Sequence, residues 1–225
     1  MEKLKNILKE YFGRPDFKKR FIVMMTGVFF LGFFLSFLIR VNFGTDPCSF
    51  MNLTISRRLG ISFGNWQLIL NTALFILVIA FGREHIGPGT VANMVLIGYI
   101  ADFFGYLWDR FIPEGFFTNT PTRVMTFAIA FIFFVISASL YMNADMGLAP
   151  YDAVPLMVKK YILKSIPFAI IRICYDYTVV AIGVLLGGKP SIGIILMAMF
   201  LGPVISAVGR FLNKNVFHLA PSSSS

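Results

Sequence analysis

The sequence predicts an all-α membrane protein of six transmembrane helices, arranged as two three-helix repeats of inverted topology with broken or re-entrant segments after helices 1 and 4. Apolar residues make up 57% of the 225 residues and the mean hydropathy is +0.76, far from the values of a soluble domain. The chain also repeats itself at a spacing of about 103 residues. The recurring residues are Arg20, Phe30, Ser36, Gly44 and Pro47 in the first half and Arg123, Phe133, Ser139, Gly147 and Pro150 in the second.

Three apolar runs in each half are long enough to cross a bilayer, which needs about 20 residues. They cover residues 21–39, 63–81 and 89–107 in the first half and 124–142, 168–186 and 192–211 in the second. Because three crossings is an odd number, the second half enters from the opposite side of the membrane. A pseudo-two-fold axis in the membrane plane is therefore expected, as in many secondary transporters.

The runs divide the chain into five parts. These are a basic cytoplasmic tail with an interfacial helix (1–20), the first repeat (21–108), an external linker (109–122), the second repeat (123–212) and a disordered cytoplasmic tail (213–225). The interfacial helix is expected because apolar residues before Pro15 share one helical face, while lysines lie elsewhere.

The net charge of +9 reflects topology rather than a nucleic-acid partner, because seven basic residues precede the first apolar run. With the N-terminus in the cytoplasm, thirteen basic residues at the ends of the runs and between them fall on the inner side, and five fall on the outer side. We therefore expect a multi-pass protein of the cell membrane with both termini cytoplasmic. Arg57 and Arg58 are a discordant external pair.

Enzyme classes find little support in the sequence. Neither a phosphate-binding loop nor a nucleophile triad is present, and His85 and His218 belong to no cluster with metal-ligand spacing. Cys48 and Cys174 are interpreted as small apolar residues. We expect no enzyme activity, no metal and no cofactor.

Glycine and proline interrupt the chain after the first and fourth apolar runs, at residues 44–49 (GTDPCS) and 147–152 (GLAPYD). Glycine permits unusual dihedral angles and proline suits the first turn of a helix. Each motif therefore predicts a half-helix whose N-terminal amide groups point into the bundle. Asp46 and Asp152 lie close to these starts, where helix capping is the alternative to a substrate-binding role.

Polar pairs occupy matching places in the second and fifth runs. Arg172 and Asp176 are four residues apart, on one helical face, and correspond to Gln67 and Asn71 in the first half. Charges at membrane depth face the interior or water and pair with one another. This pair therefore either handles a substrate or proton or locks helix packing. Asp102, near the end of the third run, is a further candidate.

The residues 147–152, the glycine-rich segment 187–193 and Gly202-Pro203 together resemble the YczE/YyaS/YitT family of bacterial integral membrane proteins. The motif is similar to the family's Gly-x-x-Pro-aromatic-Asp pattern, and the resemblance covers residues 21–212. The first half departs from it, with Cys48-Ser49 in place of the aromatic-Asp pair. The resemblance implies a plasma-membrane protein of transporter-like build and supplies no substrate.

The sequence therefore favours a transporter that moves a small or amphiphilic, lipid-like solute by alternating access. The candidate substrate-binding residues are Asp46, Gln67, Asn71, Asp102, Pro150, Tyr151, Asp152, Arg172 and Asp176. Protonation of Asp176 would couple transport to a proton gradient. The alternatives are the substrate-capture subunit of a vitamin importer and a membrane accessory protein that transports nothing. A homodimer is compatible with the glycine-rich faces but is not required by them.

Overall fold

The computed structural model describes residues 11–217, apart from the side chains of residues 114, 198, 200, 201, 203 and 206. Its helices are α1 (Phe17–Val41), α2 (Pro47–Leu59), α3 (Phe63–Phe81), α4 (Pro88–Phe111), α5 (Glu114–Thr118), α6 (Thr120–Asn143), α7 (Pro150–Tyr161), α8 (Phe168–Leu185) and α9 (Ile192–Asn215). A 3-10 turn, Arg83–His85, joins α3 to α4. No strand occurs within residues 11–217, and the all-α prediction is confirmed.

Five helices, α1, α3, α4, α6 and α8, are long and apolar enough to cross a membrane. They contain five of the six predicted spans. The sixth, residues 192–211, lies in α9, several of whose side chains are outside the described set. Helices α2 and α7 have only 13 and 12 residues. At a rise of 1.5 Å per residue each covers about 20 Å, less than the ~30 Å apolar core of a bilayer.

The helix ends differ from the predicted boundaries. Helix α1 begins at Phe17, the linker 109–122 contains α5, and α9 continues to Asn215 instead of ending at 212. An apolar run marks only the part of a helix that lies in hydrocarbon, whereas a helix can continue into the hydrated interface. The predicted interfacial helix falls mostly, and the tail 218–225 entirely, outside the described residues.

The largest contact in the bundle is between α1 and α6. A Cβ added to Gly27 of α1 would lie 2.6 Å from the backbone nitrogen of Tyr141 in α6, so glycine allows the two backbones to approach closely. The fully buried side chains of Met24, Leu35 and Met146 belong to the core around this contact. Helix α4 packs against α1, and helix α9 packs against α6.

Matching arginine contacts join the two ends of the α1–α6 pair. Nη1 of Arg20, at the start of α1, donates to the carbonyl oxygen of Ala144 after α6 at 3.1 Å. Nε of Arg123, at the start of α6, donates to the carbonyl oxygen of Val41 at the end of α1 at 2.7 Å. The helices are therefore antiparallel. Their two ends are called below the Arg20 end and the Arg123 end.

The segments that follow α1 and α6 are held by matching backbone bonds. The amide of Gly193, in α9, donates to the carbonyl oxygen of Phe43 at 2.9 Å, and the amide of Gly89, in α4, donates to that of Met146 at 2.6 Å. Both acceptors lie in the unwound stretch before a short helix. Each short helix then packs mainly against a helix of the other half, α2 against α8 and α7 against α3.

Candidate functional site

Both short helices begin as the sequence predicts. Gly44 and Gly147 have φ angles of 117° and 96°, a left-handed conformation that favours glycine. Pro47 and Pro150 occupy the first turns of α2 and α7. The Asp46 side chain caps α2 by accepting a hydrogen bond from the Ser49 amide at 3.1 Å.

Arg172 of α8 connects two carboxylates from two helices. Its Nη1 lies 2.8 Å from Oδ1 of Asp152, in the first turn of α7, and its Nε lies 3.0 Å from Oδ2 of Asp176, one turn along α8. The three side chains are 23%, 18% and 19% exposed. The fork geometry of the guanidinium group therefore ties the start of the short helix to a membrane-length helix.

Tyrosines close one side of this ion pair cluster. The Tyr151 hydroxyl donates to Oδ1 of Asp176 at 2.9 Å, and the Arg172 guanidinium lies 5.6 Å from the Tyr151 ring centroid. The ring of Tyr175 is 4.9 Å from that of Tyr151. Cys48 and Met51 of α2 pack against the same apolar group. The structure thus brings together Tyr151, Asp152, Arg172 and Asp176, with Pro150 buried beside them.

Asp46 adds a third carboxylate to the neighbourhood. Its charge interacts with those of Asp152 and Asp176, and its Oδ1 is buried without a hydrogen-bond partner among the described residues. Ionisation of all three carboxyl groups would leave an excess of negative charge over the guanidinium of Arg172. A proton, a cation or a cationic group of a solute is able to balance this excess.

Gln67 and Asn71 are buried on α3, with 6% and 3% of their surface exposed. Leu70 and Leu74 of the same helix pack against the apolar group that contains Tyr151. Spacings of three and four residues place these four side chains along one side of α3. Oδ1 of Asn71 has no hydrogen-bond partner among the described residues, so one strong acceptor is available on this side.

Asp102 does not join the cluster. Its Oδ2 accepts a hydrogen bond from the Gly64 amide at 2.8 Å, in the first turn of α3. A carboxylate at a helix N-terminus is stabilised by the free amide groups and by the helix dipole. The bond therefore ties α4 to the start of α3.

A cavity of about 530 Å³ opens at the Arg123 end, between α2, the end of α1 and the turn from α8 to α9. Three basic side chains line it: Arg57 and Arg58 from the last turn of α2, and Lys189 from the turn. Thr45, which precedes Asp46, also lies in its wall. The cavity therefore reaches the N-terminal end of α2.

The Arg20 end is closed at the corresponding place. Val78, Ile86, Ala153 and Met157 form a compact apolar cluster with exposures of 0%, 4%, 0% and 8%. A Cβ added to Gly82 would lie 2.8 Å from the sulfur of Met157, so the Met157 side chain packs closely against the turn that follows α3.

An ion pair lies over this apolar cluster. Nζ of Lys160 is 2.5 Å from Oε1 of Glu84, and this hydrogen bond holds the pKa of the Glu84 carboxyl below its ordinary value. The His85 imidazole is next to the pair, and burial lowers its pKa. The pair thus joins the turn that follows α3 to the end of α7.

Sequence reasoning missed two parts of the site. Nothing in the spacing of Tyr175 distinguishes it from other aromatic residues of α8, and only the packing shows its contact with Tyr151. The basic lining of the cavity did have a signal, because Arg57 and Arg58 oppose the charge bias expected for an external loop. Within residues 11–217, no group of three His, Cys, Asp or Glu side chains is placed to hold a metal ion.

The relatives found include bacterial proteins whose names state no activity. The chain is 23% identical over 187 residues to the "Uncharacterized membrane protein YczE" of Bacillus subtilis, which covers 83% of both proteins. It is 22% identical over 199 residues to the "Uncharacterized protein YyaS" of the same organism, covering 84% of this chain and 94% of YyaS. No solved structure matches the chain.

The resemblance to YczE and YyaS is therefore confirmed, and with it the membrane nature of the protein. Residues 18–210 match DUF6198, which is described as a family of unknown function. This match covers nearly all of the described helices, so the chain belongs to the DUF6198 family.

Proposed function

We propose that this protein is a transporter of the cell membrane that moves a small or amphiphilic solute by alternating access between two inverted three-helix repeats. In this proposal α9 is the sixth span, both termini are cytoplasmic, and α2 and α7 are re-entrant half-helices. The protein carries out no covalent chemistry.

The end contacts of α1 and α6 support the inverted repeat. Arg123 follows Arg20 by 103 residues, and Ala144 follows Val41 by the same number, so one bond is the copy of the other at the opposite end of the pair. A two-fold axis perpendicular to the helices relates two such contacts. Such an axis in the membrane plane is the symmetry of many secondary transporters.

The observation that carries the proposal is that matching positions line a cavity at one end and belong to a closed apolar cluster at the other. Phe50 and Thr54 line the cavity of the Arg123 end. Their counterparts 103 residues later are Ala153 and Met157, which are buried in the closed cluster of the Arg20 end. Repeats that differ in this way can exchange conformations, which closes the open end and opens the closed one.

In this proposal the solute binds at the Arg172 cluster, which consists of Tyr151, Asp152, Arg172 and Asp176. Asp46 is adjacent to Thr45 of the cavity wall, and Asp152 is adjacent to Ala153 of the closed cluster. The cluster is therefore situated between the two ends, beside the starts of both half-helices. Loss of a proton from Asp176 on one side of the membrane and its return on the other would couple transport to a proton gradient.

Cysteine labelling tests the proposal without knowledge of the solute. Thr54→Cys and Met157→Cys are placed separately in a background in which Cys48 and Cys174 are alanine, and each protein is treated with N-ethylmaleimide in membranes. We expect fast labelling at 54 and slow labelling at 157. Adding Glu84→Lys, which sets a like charge against Lys160, should open the Arg20 end. Labelling at 157 should then rise and labelling at 54 should fall.

The charge swap Glu84→Lys with Lys160→Glu is the matched control, because it restores an attractive pair and should restore the original labelling rates. A rise at position 157 without a fall at position 54 would indicate local loosening and would reject alternating access. Unchanged labelling at both positions would favour a static membrane protein.

A further inference from the structure

The cavity at the Arg123 end has an unusual charge. Arg57, Arg58 and Lys189 line it, and none of its lining residues is acidic. Within the described part of the chain, neither Arg57 nor Lys189 has a hydrogen-bond or ion-pair partner, and Arg58 donates only to the carbonyl oxygen of Leu186, at 3.1 Å. A concave surface lined by one sign of charge concentrates its field on a ligand of the opposite sign.

Neighbouring acids do not neutralise these three cations. The positive charge of Arg40 repels that of Arg57. The Asp109 carboxylate is already paired with Arg40. The position of Arg57 and Arg58 in the last turn of α2 favours positive charge through the helix dipole. That explanation does not extend to Lys189, which reaches the same cavity from the turn between α8 and α9.

The hydroxyl groups of Thr54 and Ser191, which line the cavity, already donate to backbone carbonyl oxygens. The Thr54 hydroxyl donates to the carbonyl oxygen of Phe50 at 2.9 Å, and the Ser191 hydroxyl donates to that of Phe43 at 2.6 Å. The charged donors of the cavity are those of the two guanidinium groups, of which one bonds to Leu186, and of the Lys189 ammonium group, and the side-chain amide of Asn42 lines the cavity beside them. Guanidinium donors match the oxygen spacing of phosphate and carboxylate groups.

We propose that this cavity is an anion-binding site that takes a phosphate or carboxylate group. Its volume of about 530 Å³ is that of a pocket for a small organic molecule. The group belongs either to a free solute or to the headgroup of an anionic lipid. Binding at this site requires no transport, so the inference extends beyond the proposed function and does not depend on it.

Titration calorimetry of the purified full-length protein at low ionic strength tests the site. The probes are inorganic phosphate and citrate as free anions and dioctanoyl phosphatidylglycerol as the lipid. Affinity for at least one probe should fall tenfold or more in the double variant Arg57→Gln, Lys189→Gln, since two charged donors are lost. It should also fall as salt is added.

Arg110→Gln is the matched control, because Arg110 is an exposed cation that bonds to the Tyr106 hydroxyl and does not line the cavity. Its affinity should equal that of the wild type. Loss of phosphate or citrate binding in the double variant identifies a free anion, and loss of lipid binding alone identifies a headgroup. The proposal is wrong if the wild type binds no probe, or if the double variant and Arg110→Gln bind all probes equally well. The labelling rates at 54 and 157 test alternating access separately.

Discussion

At the scale of single residues, the most consequential side chain is Arg172, because it compensates two carboxylates that are less than a fifth exposed. Asp152 and Asp176 each give one oxygen to its guanidinium group, and Tyr151 donates to the second oxygen of Asp176. Both alternatives drawn from the sequence, solute handling and packing, predict a contact between Arg172 and Asp176. Because Arg172 also bridges to Asp152, removal of the arginine leaves two carboxylates without their cation at once.

We expect Arg172→Gln to lower the free energy of unfolding by about 2 kcal/mol, because it leaves two partly buried carboxylates without a cation. Neutralising them in the triple variant Arg172→Gln, Asp152→Asn, Asp176→Asn should recover most of this loss. Thermal unfolding in detergent measures both. Equal stability of the single variant and the wild type would show that water compensates the carboxylates and that the pairing is not structural.

The free energy of unfolding depends on pH through His85, which lies at the Arg20 end. Burial, opposed by the Glu84 carboxylate and reinforced by the Lys160 charge, lowers the pKa of His85 below its ordinary value of 6.5 in the folded state. The unfolded chain therefore binds a proton first as the pH falls. The stability associated with neutral His85 is complete above pH 6.5 and is lost as the pH falls below 6.5.

We expect His85→Gln to remove this part of the pH dependence. The drop in melting temperature from pH 7.5 to pH 5.5 should be smaller in the variant than in the wild type. The other histidine, His218, is kept in both proteins. Identical drops would mean that the His85 imidazole titrates alike in the folded and unfolded states.

At the scale of elements, helix contact in this bundle depends on glycines whose positions are specific. A Cβ added to Gly98 of α4 would lie 2.7 Å from the Cα of Gly64 in α3, whereas a Cβ added to Gly105, further along α4, would approach nothing closer than 4.0 Å. Two glycines on one helix therefore differ in what they permit. In lipid, where packing drives helix association, such close approaches determine which helices become neighbours.

Gly98→Ala should lower the free energy of unfolding by about 1 to 3 kcal/mol, because backbone atoms of α3 must move away from the added methyl group. Gly105→Ala is the control on the same helix and should be neutral or slightly stabilising, since alanine favours helix more than glycine does. Thermal unfolding of the two variants separates packing from propensity. Equal effects at both positions would contradict the close contact of α3 with α4.

Helix positions were predictable from the sequence, whereas the partners of polar side chains were largely not. Apolar runs of about 20 residues located α1, α3, α4, α6 and α8, and the glycine and proline pairs located the starts of α2 and α7. The spacing of four residues predicted the contact of Arg172 with Asp176 but not the bridge to Asp152, which is 20 residues away and depends on how α7 packs against α8. The bond of Asp102 to Gly64 arises in the same way from a contact between helices.

At the scale of the whole molecule, the number of crossings fixes the positions of the two termini. Within residues 11–217 five helices are long and apolar enough to span a membrane, and the proposed function makes α9 the sixth. Six crossings return the chain to the side on which it began, and five do not. The basic residues before α1 favour the cytoplasm for the N-terminus.

We expect epitope tags at both termini to be inaccessible to antibody in intact spheroplasts and accessible after permeabilisation. Each protein carries a single tag, at either the N-terminus or the C-terminus. The two proteins can then be compared directly, because the same tag is expressed and detected in the same way. Access to the C-terminal tag alone in intact cells would reduce the crossings to five and remove α9 from the proposed repeat.

The two arginine bonds at the ends of α1 and α6 also bear on how the halves came to differ. Each bond joins an arginine of one half to a carbonyl oxygen of the other, so both end contacts need both halves, and a gene duplication would have supplied the two bonds at once. After duplication the sequences of the two halves can diverge at positions that these end contacts do not involve. The second half holds the charged side chains Arg172 and Asp176 where the first holds the amides Gln67 and Asn71, so at these two positions only one half carries charge.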